Sequence, residues 1–209
     1  MPITRQPENP DIRLVETPDE VTLLIDGEQA MQGWERDLMF QSADLLCGYG
    51  SHFLEVGLGL GLSALRIAGN PTTRRHLVLE KYQKVIDLFR ERHPVLPPSL
   101  ELRQVDFFEH VHRLEPESFD GIFFDPHVPA HIREDEALWN ETVPLLARAL
   151  RVGGALVPCF SSYPVLRWQF VRHFGRVVVE RHSFTPYANT NYMASPGGDA
   201  YIQCFIRTE

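Results

Sequence analysis

The sequence is poor in cysteine, in positive charge and in long apolar runs. Three cysteines, Cys47, Cys159 and Cys204, are scattered over 209 residues, and no C-x-x-C pair occurs. That pattern argues against a disulfide framework and a thiolate zinc site, and no metal is expected. It fits reduced thiols in a cytoplasmic protein. Twenty Lys and Arg stand against 28 Asp and Glu, a formal net charge of −8. Such a balance argues against nucleic acid or an anionic membrane as the main partner. No stretch approaches the roughly 20 apolar residues that a membrane span needs. The first residues, Met1-Pro2-Ile3-Thr4-Arg5-Gln6-Pro7, lack the apolar core of a signal sequence. Residues 1–10 read as a loose polar tail. Repeats and low-complexity tracts are absent.

What is there centres on Phe53-Leu54-Glu55-Val56-Gly57-Leu58-Gly59-Leu60-Gly61-Leu62-Ser63-Ala64. An apolar strand runs into three alternate glycines, and a helix opens at Leu62. Strand, glycine turn and helix in that order build a nucleotide site at the carboxyl edge of a parallel sheet. Gly59-x-Gly61-x-x-Ala64 fits the dinucleotide fingerprint, so an NAD-binding oxidoreductase is one reading. The whole run, Glu55-x-Gly57-x-Gly59-x-Gly61, resembles motif I of the class I S-adenosylmethionine (SAM) methyltransferases. In that family the turn wraps the amino-acid end of SAM.

Around this turn the pattern alternates. Ile12–Val15 and Val21–Ile25 read as an accessory hairpin, and Asp26-Gly27 as a turn. The stretch from Ala30 to Met39 leads into a helix ending near Cys47. Strands follow at His76–Glu80, Leu100–Val105, Phe119–Asp125 and Ala155–Phe160. Helices fall at Tyr82–His93, Ala137–Leu150 and Tyr163–Phe174. Val177–Phe184 and Ala200–Ile206 close the pattern as a hairpin, joined by a long loop, Thr185–Asp199, that reads as a lid. The expected fold is α/β, a doubly wound, seven-stranded, mostly parallel sheet ending in an antiparallel hairpin. Residues 1–50 are expected to form an accessory segment covering the site, and residues 51–209 the methyltransferase domain. A dinucleotide enzyme would need a further substrate domain; the methyltransferase fold is complete at this length.

Each acid has an expected task. Glu80, ending the second core strand, suits the ribose hydroxyls. Asp106 and Phe107 suit the adenine, one by accepting a hydrogen bond and one by packing on the ring. Glu55 suits the turn itself or the SAM amino group. Asp125, at the lip of the fourth strand, suits a nitrogen nucleophile and its proton, with His127 as a second base.

Gly33-Trp34-Glu35-Arg36-Asp37-Leu38-Met39, the glycine turn and Phe119-Asp120-Gly121-Ile122-Phe123-Phe124-Asp125 together resemble guanidinoacetate N-methyltransferase and the arginine δ-N-methyltransferases. Those enzymes carry W-E-x-P-x-M before motif I and F-D-G-I-x-Y-D on strand four. The resemblance implies that Glu35 and Asp125 clamp a guanidinium and that Met39 lies beside the sulfonium. Paired carboxylates suit that chemistry. They bind a planar cation through charge-assisted bonds and can take a proton as its nitrogen attacks a methyl group. Arg36-Asp37, Phe124 and Pro126-His127 depart from the family pattern at the substrate lip. A tailoring methyltransferase for an indole, with Trp34, Tyr187 and Tyr192 stacking on the ring, is therefore the alternative. A methyltransferase-like module without catalysis is a third reading. The partner is a small molecule in the first two cases, and the apolar edge of the N-terminal hairpin could support a homodimer.

Overall fold

Asp26 and Gly27 both have positive φ, 52° and 81°. That is the type I′ geometry which folds two strands tightly back on each other. A computed structural model describes residues 10–193 and 197–209, so most of the N-terminal tail and residues 194–196 of the long loop lie outside it. Strands β1 (Ile12–Glu16), β2 (Val21–Ile25) and β3 (Glu28–Gln32) form an antiparallel sheet in that order. β3 replaces the start of the helix expected from Ala30. The Asp-Gly turn brings the next five residues back onto β2, where Met31 pairs with Leu23. The register shifts between Leu23 and Leu24, whose partners are Met31 and Gln29, so Ala30 is an extra residue in β3. After a 3₁₀ turn at Gly33–Glu35, helix α1 runs over Arg36–Cys47.

The main unit then alternates as read. It comprises β4 (His52–Val56), α2 (Leu62–Ala68), β5 (Arg75–Glu80), α3 (Gln83–Arg92), β6 (Leu100–Gln104), α4 (Phe107–His110) and β7 (Phe119–Phe124). After these come α5 (Ala130–Arg133), α6 (Glu136–Ala149), β8 (Leu150–Pro158), α7 (Trp168–Val171), β9 (Arg176–Phe184) and β10 (Gly198–Ile206). The seven strands lie in the order β6-β5-β4-β7-β8-β10-β9. The five strands from β6 to β8 are parallel; β10 runs antiparallel to both of its neighbours.

Strand alternation sends side chains to two faces. Phe53, Val78 and Phe123 pack in one cluster with Ala43 and Leu46 of α1, Ile67 of α2, Phe89 of α3 and the N-terminal sheet. Leu54, Leu77, Ile122 and Phe124 pack in the other with Trp139, Val143 and Leu146 of α6. No helix among the described residues is long and apolar enough to cross a membrane.

Two expectations change. The helix expected over Tyr163–Phe174 is reduced to the four residues of α7. Gln203 of β10 explains this: its side chain accepts from the Arg167 backbone N–H at 2.9 Å and donates to the Val165 carbonyl at 2.8 Å. Those backbone groups are spent on a distant amide, and Pro164 has no N–H to give. The fifth core strand is also longer than expected. β8 starts at Leu150 and runs through Gly153 and Gly154, with a register shift against β7 between Phe119 and Gly121.

Phe123 is fully buried at the centre of the sheet. Phe123→Ala should cost about 3–5 kcal/mol, read as a shift in the urea midpoint at unchanged slope.

Candidate active site

The order of strands reverses between β4 and β7, which places the crevice at their carboxyl ends. Gly57 leaves β4 with φ 89°, and a Cβ there would lie 2.4 Å from the Asp125 carbonyl oxygen. The glycine turn and the lip of β7 are therefore in direct backbone contact. The turn is held from three further sides. Glu80, buried at the end of β5, accepts from Leu58 N–H at 2.9 Å through Oε2 and from Tyr82 N–H at 2.8 Å through Oε1. Met31 of β3 accepts from Leu60 N–H at 3.2 Å through its sulfur. Phe89 of α3 lies against Gly61, whose φ of 73° and close ring admit no side chain. Gly59, at φ 52°, is held equally close by the Met31 sulfur.

Glu55 is fully buried. Its Oε1 accepts from the Ser63 hydroxyl at 2.5 Å, and its Oε2 stands 3.0 Å from His76 Nε2. This carboxylate, expected to orient the turn or to hold the SAM amino group, engages Ser63 in the first turn of α2 and His76 of β5. Asp106 caps α4, accepting from Phe108 N–H at 3.0 Å, and pairs with Lys81 at 3.0 Å. Phe107 is 4 % exposed and packs edge-on to Phe108 and Phe124, within the core under β7.

This donor set fits SAM. Two carboxylates, Glu80 and Asp106, end adjacent parallel strands beside a glycine turn. Glu80 accepts from backbone N–H groups on both oxygens, and a carboxylate has about four lone-pair sites, which leaves room for a ribose hydroxyl. Burial raises the Glu80 pKa above the ordinary carboxylate range, against the pull of its backbone donors.

Glu35 and Asp125 come together at the other side of the turn. Glu35 ends the 3₁₀ turn, is only 5 % exposed, and accepts from Gln32 N–H at 2.8 Å and from the Tyr192 hydroxyl at 2.6 Å. Both bonds fall on Oε1. Desolvation pushes the Glu35 pKa up to about 8, opposed by these two bonds and reinforced by the charge of Asp125. Asp125, partly buried, is pushed up to about 6, again chiefly by desolvation. A hydrogen bond from Cys159 opposes that rise, the charge of Glu55 adds to it, and Arg167 opposes it.

The aromatic residues form a wall. Trp34 stacks on Phe184 at 5.5 Å and on Tyr192 at 6.2 Å, with Phe160 edge-on at 6.1 Å. Tyr187 sets its hydroxyl against Gly33, where a Cβ would approach it to 2.7 Å. Met39 is buried within α1. His127 follows Asp125 by two residues in the segment after β7. It is exposed, and the charges that act on it are Glu28 and Arg133, while desolvation lowers its pKa.

Several residues of the site carry no local signal. Cys159 follows β8, its thiol pKa raised by burial and by Asp125. Arg167 donates to the carbonyls of Cys159 and Phe160 at 2.9 and 3.2 Å. Gln32 was passed over as part of a helix lead-in; recognising the Asp-Gly hairpin would have exposed it.

Sheet order, glycine turn and strand-end acids define the class: a SAM-dependent methyltransferase of the Rossmann-like class I fold. More narrowly, the chain belongs to the guanidinoacetate N-methyltransferase family, which it matches over residues 13–171. Solved structures share the fold at low identity. The spermidine synthase of Thermotoga maritima is 16 % identical with a TM-score of 0.73, covering 97 % of this chain and 71 % of that one. The N-methyltransferase NodS from Bradyrhizobium japonicum WM9 is 19 % identical with a TM-score of 0.61, covering 84 % of this chain and 97 % of that one. A second NodS structure holds S-adenosyl-L-homocysteine, with a TM-score of 0.60 at 19 % identity, over 85 % of this chain and 89 % of that one.

Two predictions follow from this geometry. Gly57→Ala forces a side chain into the Asp125 backbone at positive φ, whereas Gly153, also at positive φ (83°), has open space around it. Gly153→Ala should cost about 1–2 kcal/mol and leave S-adenosylhomocysteine binding intact; Gly57→Ala should cost more and abolish binding, read by thermal melts and calorimetry. The Glu35 pKa lies above its ordinary 4.5, so ionising it inside the fold costs nothing below pH 4.5 and progressively more up to about pH 8. Urea melts should show Glu35→Gln gaining on the wild type between those limits, by on the order of 1–4 kcal/mol. A difference independent of pH would contradict the burial.

Proposed function

We propose that the enzyme methylates a nitrogen of a small guanidino compound or amine held between Glu35 and Asp125. The observation that carries the reading is the coupling of these carboxyl groups, each raised by burial and Glu35 raised further by the charge of Asp125. At pH 7 the pair shares about one negative charge, with Asp125 the more ionised member. A cation placed between them relieves both costs. Binding would draw Glu35 into its charged form and release a proton.

SAM supplies an electrophilic methyl group. The chain's own residues position the nucleophile and manage its proton. Glu35 Oε2 and the Asp125 carboxylate would hold two nitrogens of a guanidinium, leaving the third to attack. Either carboxylate can then accept the proton lost from that nitrogen. In-line displacement needs little else beyond alignment and exclusion of water. The stacked rings of Trp34, Phe184 and Tyr192 provide the dry wall on one side.

The test is transfer of labelled methyl from SAM to a panel of guanidines, amines and indoles. A guanidine or amine should be labelled, and Asp125→Asn should lower kcat/KM by roughly 10²–10⁴-fold. For a cationic substrate, kcat/KM should rise with pH through apparent values near 6 and 8, as the pair ionises. Labelling of an indole alone would move the enzyme to the tailoring class with the same fold and cofactor. Labelling unaffected by Asp125→Asn would sink the carboxylate pair.

A further inference from the structure

Gln32 is a polar residue with no exposed surface, and its side-chain amide is saturated by distant groups. Its Nε2 donates to the Thr22 hydroxyl at 2.9 Å and to Asn189 Oδ1 at 3.0 Å. Its Oε1 accepts from the Trp34 indole N–H at 3.1 Å and from the Thr190 hydroxyl at 2.5 Å. Its backbone N–H donates to Glu35. One residue therefore touches β2, the aromatic wall, the β9–β10 loop and the carboxylate.

Gln29 binds the same loop. Its side chain donates to the Asn189 carbonyl at 2.8 Å and accepts from Asn191 N–H at 2.8 Å. Residues three apart on a regular strand face opposite ways. The extra residue at Ala30 restores the phase, so that both amides meet one segment. Glu20 adds a third hold, accepting from the Asn189 side chain at 2.9 Å. The next side chain along that segment with a bond to the site is Tyr192, on Glu35.

We infer that Gln32 is a positioning residue for methyl transfer: its amide fixes Trp34 and residues 189–192 over Glu35, and so keeps that carboxyl dry. The inference rests on Glu35 acting as proposed above. The groups facing Glu35 are Tyr192 from the loop, Asp125 after β7 and Cys159 after β8, with Arg167 acting on the latter two. None of them bonds to the Gln32 side chain. Removing the amide leaves their chemistry in place and changes only how firmly the loop excludes water. Burial is the largest influence on Glu35, so a looser loop returns its pKa toward the ordinary range.

The experiment compares Gln32→Met, which keeps the volume and loses the amide, with Thr190→Val, which removes one bond from the loop side. The readouts are kcat and KM for the best methyl acceptor from pH 5 to 10, with thermal melts and S-adenosylhomocysteine titration. Gln32→Met should lower kcat/KM by about 10–100-fold and move the upper pH limb below 8, at nearly unchanged S-adenosylhomocysteine affinity. Thr190→Val should act in the same direction, more weakly. If Gln32→Met does not fold, the Thr190→Val profile decides alone. If both variants keep the wild-type rate and limb while Glu35→Gln abolishes them, the positioning role is wrong and the carboxylate pair stands. If Glu35→Gln itself leaves rate and limb untouched, the proposed function fails first.

Discussion

Two carboxyl groups lie where water is largely excluded, and the charge of Asp125 makes that of Glu35 more costly. Among the described residues neither carries an ion pair with a lysine or arginine. Glu35 is steadied by a backbone N–H and a phenol, Asp125 by a thiol and by the charge of Arg167, whose Nη2 donates to the Cys159 and Phe160 carbonyls. Such bonds orient an acid without neutralising it. Such an arrangement is unfavourable for the protein at high pH, where both carboxyl groups would have to carry charge in a desolvated place.

The covering structures follow from the same need. The three-stranded sheet presses on the glycine turn through Met31 and on the loop after β9 through Gln29 and Gln32. The glycine turn and the β9–β10 loop are thus held by side chains of one short strand. Gly57, packed on the Asp125 backbone, joins them from below.

The portions legible in the sequence are those where local chemistry decides. Three alternate glycines at positive φ admit few backbone paths, and the apolar strands β4 to β7 could be placed within a residue or two. Trp34, Glu35 and Asp125 stood out through the resemblance to a known motif. β3 was missed because Glu28-Gln29-Ala30-Met31-Gln32 has no alternation to read; only the Asp-Gly turn announced it. The helix expected after Tyr163 failed for the opposite reason. Its local pattern was acceptable, but Gln203, far along the chain, took its backbone partners. Cys159, Arg167 and Gln32 owe their roles to contacts between distant segments, and no window of sequence contains both ends of those contacts.

The position of β10 bears on how the molecule is made. This strand comes last in sequence among the elements but lies inside the sheet, between β8 and β9. A chain emerging from the ribosome can assemble the glycine turn and five parallel strands before β10 exists. Until then β8 exposes a long open edge and β9 has nothing to pair with. The loop that closes over Glu35 arrives in the same late stretch, as does Gln203. The binding turn is therefore an early product of synthesis and the completed pocket a late one, so partly made chains carry the cofactor-side framework without the means to exclude water from the chemistry.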